Sequence, residues 1–326
     1  MLPIADRPTL YTIQADLVAA VYAVGLGRLS KAAALLSEAI TVSVDAGLHR
    51  SSHSYDLFSP IEEETRKRTF WSVYIWDKQL SAHFGRPPMI RLRDCDIGEP
   101  AIIDDEFITH EGILSQPSGT ESRMNAFVSI IRIMTVMESV LDMPPPRHSS
   151  GHSPFLSRAA SLLSERKRSK ELREEEALLD EIHHSIPAYW NHTSDTLSSD
   201  DTLRVTQAVR LHCAEQYVRM LIHRHRMSIF VAERVYSGLS EEDPGEFERE
   251  AMTAAQACAL QIISSHMQVA AKGLMTYCEC TSRCRSGLFC QLGAIQMAFM
   301  LSISSRRQEG PSLRLLSIAS LRSSSA

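Results

Sequence analysis

Four cysteines lie close together near the end of the sequence, and they are the residues most able to do chemistry by type. Their spacing is Cys278-x-Cys280-x3-Cys284-x5-Cys290, and four thiolates are enough to hold one tetrahedral zinc ion. Structural zinc sites, however, typically use paired Cys-x2-Cys steps, and this spacing contains none. We therefore predict no metal site here and interpret the segment as part of a Cys-, Ser- and Arg-rich disordered tail over 276–326.

The acidic run Asp104-Asp105-Glu106 is the second group that could do chemistry. All-α isoprenoid enzymes set carboxylates at helical spacing, so that several oxygens face one cavity and hold magnesium. Here the three acids are consecutive and fall in a predicted loop, which favours a solvated acidic turn. An all-α metal-dependent enzyme stays open as an alternative. It would require a magnesium-dependent activity that is lost when Asp104 and Asp105 are changed.

Histidines and nucleophile motifs do not add a catalytic site. Residues one or two positions apart point in different directions on a helix. The rings therefore diverge in the two histidine pairs, His183 with His184 and His223 with His225. The sequence also lacks Gly-x-Ser-x-Gly, His-Glu-x-x-His and a phosphate-binding glycine loop. We predict that the chain has no catalytic, cofactor-binding or metal-binding residues, carries no cofactor, and is not an enzyme.

Composition and charge exclude further classes of protein. The 326 residues are 44% hydrophobic and 22% charged, as in ordinary globular proteins. A formal net charge of -5 argues against binding nucleic acid over the whole surface. No secretory signal and no apolar run of about 20 residues is visible, so no membrane association is expected. The basic run at 166–170 resembles a nuclear import signal, although a solvated helix face explains it equally.

Helical periodicity predicts the elements that would position these residues. Apolar residues recur every three to four positions from Ile13 to Val24, and Gly25 and Gly27 then interrupt the pattern. Ser30 is predicted to cap a second helix that ends at Gly47. Together these two helices form an antiparallel hairpin.

A third helix is predicted over about 59–84. It opens with Ser59-Pro60-Ile61-Glu62, a capping residue followed by proline and a returning glutamate. Aromatic and aliphatic residues then occupy nearly every side, so this helix should be central and surrounded. Gly85-Arg86-Pro87-Pro88 ends it, because prolines cannot continue a helix.

Two charges in this helix, Arg68 and Asp77, have strongly apolar neighbours. An unpaired ion in the interior costs several kcal/mol. We therefore expect Asp77 to meet a basic or hydrogen-bond donor group, with Arg86 as one candidate. This expectation concerns architecture and not catalysis.

The rest of the sequence continues the helical pattern without period-two alternation. The fold class is all-α, an irregular multi-helix bundle of antiparallel helices around the aromatic helix. We predict a first half of the region at 1–142, a flexible linker at 143–154 and a helical continuation at 155–275. Within these regions we predict an acidic loop at 89–120 and helices at about 121–141, 155–186, 201–236 and 245–272.

The sequence from Thr65 to Lys78, TRKRTFWSVYIWDK, resembles the signature helix of the fungal-specific transcription factor domain. As in that family, it is followed by Gly85-Arg86-Pro87-Pro88, by Asp94-Cys95-Asp96-Ile97 and by Pro100. The resemblance covers about residues 10–110 and weakens towards 270. It identifies a set of family signature residues with an architectural role: Arg68, Trp71, Asp77, Gly85, Arg86, Pro87, Asp94 and Asp96.

The resemblance implies a regulatory helical module of a nuclear regulator of RNA polymerase II transcription. In that family a six-cysteine, two-zinc cluster upstream contacts DNA, and no such cluster is present in this sequence. DNA contact and zinc would thus belong to a missing segment or a partner. The partner classes left open are a second copy of the chain, a co-regulator protein and a small-molecule effector. A helical scaffold for protein interaction is the alternative function, although no repeat of the hairpin supports it.

Overall fold

The computed structural model describes residues 9–51, 58–143, 172–236 and 245–274. In these ranges the secondary structure is helical, apart from an isolated antiparallel bridge between Ile108 and Ile113. The predicted all-α fold class is confirmed. Eight α-helices are described: α1 Leu10–Gly25, α2 Leu29–Asp45, α3 Pro60–Phe84, α4 Met124–Leu141, α5 Arg173–Ser185, α6 Ser194–Ser198, α7 Thr202–Tyr236 and α8 Glu246–Ala271.

The first two helices form the predicted hairpin. Gly27 has a φ of 70°, a left-handed conformation that glycine adopts without a steric penalty, and it turns the chain directly into α2. The prediction that Ser30 caps α2 is wrong, because Arg28 occupies the N-cap and Ser30 lies inside the first turn. At the other end Gly47, with a φ of 69°, follows the last turn as predicted.

Helix α3 begins with the predicted capping box. The Ser59 side chain accepts a hydrogen bond from the Glu62 amide, and the Glu62 carboxylate accepts one from the Ser59 amide at 3.2 Å. The helix ends at Gly85, whose φ of 64° lets the Arg86 amide bond back to the Ser81 carbonyl. Glycine thus ends the helix two residues before the prolines can do so.

Helices α3 and α4 share the centre of the described structure. Helix α3 packs against α1, α2 and α4, while α4 packs against α3, α5 and α7. Periodicity predicts one apolar face for α4, with Met124, Val128 and Ile131 near it. Burial extends around most of the helix, including Ile130, Ile133 and Met137. This difference arises because α4 has neighbours on several sides. Length and composition would also allow α4 to cross a membrane, but 61% of it is buried in the protein.

The last two long helices form a second antiparallel pair. Arg234 on α7 meets Glu248 on α8 at 3.2 Å, and Cys213 lies 3.6 Å from His266. These pairings run in opposite directions along the two helices. The short helix α6 and the turn Ala188–Trp190 were not predicted, because neither is long enough to show a helical period.

Several predictions fall on residues outside the described ranges. They are the linker over 144–154, the helical pattern over 155–171, the basic run at 166–170, and the tail with its four cysteines. For these residues the sequence interpretation stays a prediction.

Candidate functional site

A buried group of charged and polar side chains lies in the interface between α3 and α4. We call it the Lys78 cluster, and it consists of Tyr74, Asp77 and Lys78 on α3 and Glu138 on α4. Lys78 is fully buried, and its ammonium lies 2.9 Å from Asp77 Oδ2 and 3.1 Å from Glu138 Oε2. The same nitrogen donates to the Ile90 carbonyl and lies 4.4 Å from the centre of the Tyr74 ring. All the donor capacity of this ammonium is therefore used inside the protein.

Asp77 fixes the chain that follows α3. Its carboxylate accepts hydrogen bonds from the Met89 amide at 3.0 Å and the Ile90 amide at 3.1 Å. The expected partner of Asp77 is present, but it is Lys78 and not Arg86, whose side chain is exposed. Arg86 is excluded because the turn at Gly85 directs it outwards, whereas residues 89 and 90 return to the helix.

Glu138 ties the same returning segment to α4. Its Oε2 accepts from the Tyr74 hydroxyl at 2.7 Å, and its Oε1 accepts from the Leu92 amide at 3.0 Å. Burial, followed by the nearby Glu138 carboxylate, raises the pKa of Tyr74, so this phenol stays protonated and serves as a donor. Helix α3, helix α4 and residues 89–92 are thus held together through two carboxylates and one ammonium.

The neighbouring thiol is not prepared for nucleophilic chemistry. Burial, with smaller contributions from Asp94 and Glu138, raises the pKa of Cys95 to about 11. A thiol with that pKa is almost entirely protonated at neutral pH and is a weak nucleophile. The chemistry of this region therefore favours a structural connection and not a reaction centre.

Arg68 connects α3 to the acidic loop. Its guanidinium contacts Glu64 at 3.3 Å, donates to the Ile103 carbonyl at 3.0 Å, and pairs with Asp105. The buried Glu64 also accepts from the Ala101 amide at 2.7 Å. One arginine thereby fixes the loop across the surface of the helix.

The adjacent acid, Asp104, has a different partner. Its Oδ1 accepts from the Ser122 hydroxyl at 3.0 Å and from the Arg123 amide at 2.9 Å, at the start of α4. Since Asp104 and Asp105 engage different elements, their oxygens do not converge on one cavity. The geometry therefore weighs against the magnesium-dependent alternative.

The other signature residues lie on α3, at its end, or on the loop that follows it. Trp71 is buried and donates its indole N–H to the Gly98 carbonyl at 2.9 Å. Asp96 accepts from the Ser51 amide at 2.9 Å. The three that remain, Gly85, Pro87 and Asp94, are exposed at the helix end or on the loop.

Sequence reasoning missed the members of the Lys78 cluster other than Asp77. One signal was available, since Glu138 is the only acidic residue in the mostly apolar run from Ile130 to Leu141. Lys78 was visible in the same way beside Asp77. The ion pair between Lys78 and Glu138 was not visible in the sequence, because these residues lie 60 positions apart.

Metal ligation has no support among the described residues. They contain no group of three or more His, Cys, Asp or Glu side chains that could hold an ion. His183 bonds to Glu215 at 2.8 Å, while His184 lies 2.6 Å from the Asp180 carbonyl. These two histidines therefore serve separate partners. The described residues do not fit a zinc cluster.

The geometry thus defines a helical module in which one aromatic helix and the segment after it are fixed by buried ion pairs. The model of the fungal specific transcription factor domain matches residues 4–211. The chain belongs to this family.

Curated relatives agree with the family. A transcriptional activator protein, acu-15, of Neurospora crassa is 26% identical over 66% of this chain and 22% of its own length. An ABC-transporter-regulating transcription factor of Aspergillus fumigatus is 28% identical over 68% of this chain and 22% of its own length. Activator of stress genes 1 of Saccharomyces cerevisiae is 33% identical over 36% of this chain and 12% of its own length.

The matched region is a small part of each of these relatives, about a fifth of the first two. No solved structure matches the chain significantly. The match to the family model ends inside α7, which continues without a break to Tyr236.

Proposed function

We propose that this chain is the regulatory helical domain of a fungal zinc-cluster transcription regulator that controls RNA polymerase II transcription in the nucleus. The observation that carries the proposal is the family match over residues 4–211. Two relatives aligned over about two thirds of the chain are named as a transcriptional activator and a transcription factor, which agrees with it. The parts at 1–142 and 155–275 form one regulatory region in this proposal, and the packing of α4 against α5 and α7 supports that view.

In this proposal the chain regulates and does not read DNA. A net charge of -5 provides no excess of cations for phosphate contacts. DNA contact and the zinc cluster are assigned to a segment outside this chain or to a partner protein. The described residues support a non-enzymatic role, because the buried charges of the Lys78 cluster are paired with one another and Cys95 is held protonated. A second copy, a co-regulator protein or a small molecule would supply the regulatory input.

A fusion experiment tests the proposal. The 326-residue chain would be joined to an unrelated DNA-binding domain and placed upstream of a reporter gene in a fungal cell. We expect reporter transcription to rise or fall by at least about threefold relative to the DNA-binding domain alone. A threefold change in an equilibrium constant corresponds to about 0.7 kcal/mol. A fusion that is expressed, nuclear and without effect on the reporter would contradict the proposal.

An electrophoretic mobility shift with the unfused chain separates regulation from DNA reading. We expect no sequence-specific shift at physiological salt, because the chain has a formal net charge of -5 and therefore no overall excess of cations for phosphate contacts. A specific shift would overturn the assignment of DNA contact to another segment.

A further inference from the structure

Tyr217 on α7 carries a buried hydroxyl group that no neighbour satisfies. The residue is 8% exposed, and its phenol oxygen has no hydrogen-bond partner among the residues that the structure describes. Its ring stacks on that of His83 near the end of α3, with centroids 4.6 Å apart. A buried hydroxyl without a partner costs free energy, so a ligand atom that paired with this oxygen would be bound favourably.

The Tyr217 phenol is available as a hydrogen-bond donor. Burial raises the pKa of Tyr217, and the nearby Arg224 guanidinium lowers it by a smaller amount. The hydroxyl therefore keeps its proton at neutral pH. A neutral O–H donor beside a guanidinium is suited to a negatively charged acceptor.

The arginines of α7 differ in whether they have an anionic partner. Arg219, Arg226 and Arg234 pair with carboxylates of α5 or α8. Arg210 and Arg224 are half-buried, and neither forms an ion pair with any residue in the described ranges. These two guanidinium groups are therefore free to bind an anion from outside the chain.

Helix geometry brings only one of these two arginines to the phenol. Arg210 and Arg224 each lie seven positions from Tyr217, so all three residues share one face of α7. Side chains lean towards the N-terminus of a helix. Arg224 therefore leans towards Tyr217, whereas Arg210 leans away from it. Seven positions are about 10 Å along the helix axis, so one small anion can contact Tyr217 and Arg224 but not Arg210 as well.

The surface between these two polar groups is apolar. Leu221 is buried on the same side of α7, and Met220 is half-buried beside it. A ligand that fits has one anionic group and an apolar body. One guanidinium neutralises one charge, so a carboxylate fits better than a phosphate group, which carries nearly two charges at pH 7.

We propose that Tyr217 and Arg224 bind the carboxylate of a small apolar monocarboxylic acid, with the phenol and the guanidinium both donating to its oxygens. The inference deepens the proposed function and rests on it in one respect, since the acid would be the small-molecule input to the regulatory domain. Binding is measured on the chain alone, without transcription. A failure of binding is therefore distinguishable from a failure of the fusion experiment.

Thermal unfolding of the full 326-residue chain in a series of sodium benzoate concentrations tests the proposal. Sodium chloride keeps the ionic strength constant. The melting temperature should rise with benzoate concentration, because the ligand binds the folded chain. Arg224→Gln should weaken benzoate binding by about tenfold or more, because it removes the charged donor. Arg210→Gln is the matched control, a half-buried arginine on the same face that leans away from Tyr217, and it should keep the benzoate effect.

Tyr217→Phe removes the hydroxyl and keeps the ring. Without benzoate this variant should be as stable as the wild type or more stable, because no buried donor is left unpaired. Its response to benzoate should be smaller than that of the wild type. The proposal would be overturned by a wild-type chain that does not respond to benzoate, by an Arg224→Gln chain that responds fully, or by an equal response to inorganic phosphate. A Tyr217→Phe chain that is much less stable than the wild type would also overturn it, since the hydroxyl would then serve the fold.

Discussion

Lys78 is the residue on which the connection between α3 and α4 depends most directly. Its ammonium separates the carboxylates of Asp77 and Glu138, and all three groups are buried. The attraction between such ions offsets the cost of removing them from water. Removing one partner leaves the others unpaired, so single substitutions here should be much more costly than on the surface.

Lys78→Met should therefore lower the free energy of unfolding by about 3–5 kcal/mol. Methionine keeps an unbranched apolar side chain of similar length, so the loss reports mainly on the two unpaired carboxylates. Urea unfolding followed by circular dichroism measures the change. Lys31→Met, at an exposed position of α2, is the matched control and should stay within about 0.5 kcal/mol. Equal effects for the two variants would show that the buried ion pairs contribute nothing.

His212 should make the stability depend on pH. Its ring stacks on that of His192 with centroids 4.2 Å apart, and Glu215 and His183 are its other titratable neighbours. Burial, followed by the nearby His192, lowers the pKa of His212 to about 4, below the ordinary value of 6.5. The folded state therefore favours the neutral ring. The contribution of His212 to the free energy of unfolding is fully present above the pKa that the ring has in the unfolded chain. This contribution is lost as the pH falls towards 4.

Melting temperatures measured between pH 7 and pH 4 test this expectation. The wild-type chain should lose stability over that range, and His212→Asn should lose less of it. His184→Asn, at an exposed histidine, should follow the wild-type curve. Identical slopes for wild type and His212→Asn would contradict the role assigned to this ring.

At the level of elements, the end of α3 depends on one backbone conformation. Gly85 has a φ of 64°, which strains any residue with a Cβ, although nothing lies within 4 Å of the added atom. Gly85→Ala should therefore destabilise the protein by about 1 kcal/mol through the backbone alone. Thermal unfolding measures the difference. Gly98→Ala is the control, since Gly98 has equal space and no left-handed φ, and it should be nearly neutral.

The elements also show what sequence patterns predict well. The capping box at Ser59 is decided by residues within one turn, so the sequence was sufficient to place the start of α3. The prediction that Ser30 caps α2 was wrong because the left-handed turn at Gly27 starts the helix earlier in the chain. The preference of serine for N-cap positions takes no account of the turn that precedes the helix. The buried sides of α4 were underestimated for a different reason. The burial of a helix depends on how many other helices pack against it, and the sequence alone does not give this number.

For the whole molecule, the structural unit extends beyond the family match. The match ends at residue 211, but Val218, Leu221 and Ile222, which follow that point on α7, are buried, and α8 packs along this helix. A chain that ends at Leu211 would lose this part of the core. It should therefore lose cooperative thermal unfolding, whereas the full chain should retain it. An equally sharp transition at the same temperature would show that the matched region folds alone.

The sequence by itself determined the all-α class, the capped start of α3 and the family, because periodicity, caps and glycine stops are local properties. It also indicated that Asp77 required a partner. Only the tertiary structure identified that partner as Lys78, joined Glu138 to both, and assigned Asp104 and Asp105 to different elements. Such contacts connect residues far apart in the chain, and packing of the helices decides which side chains meet. The same packing leaves Tyr11, Val18 and Tyr22 of α1 exposed, and periodicity alone could not distinguish a buried apolar face from an exposed one.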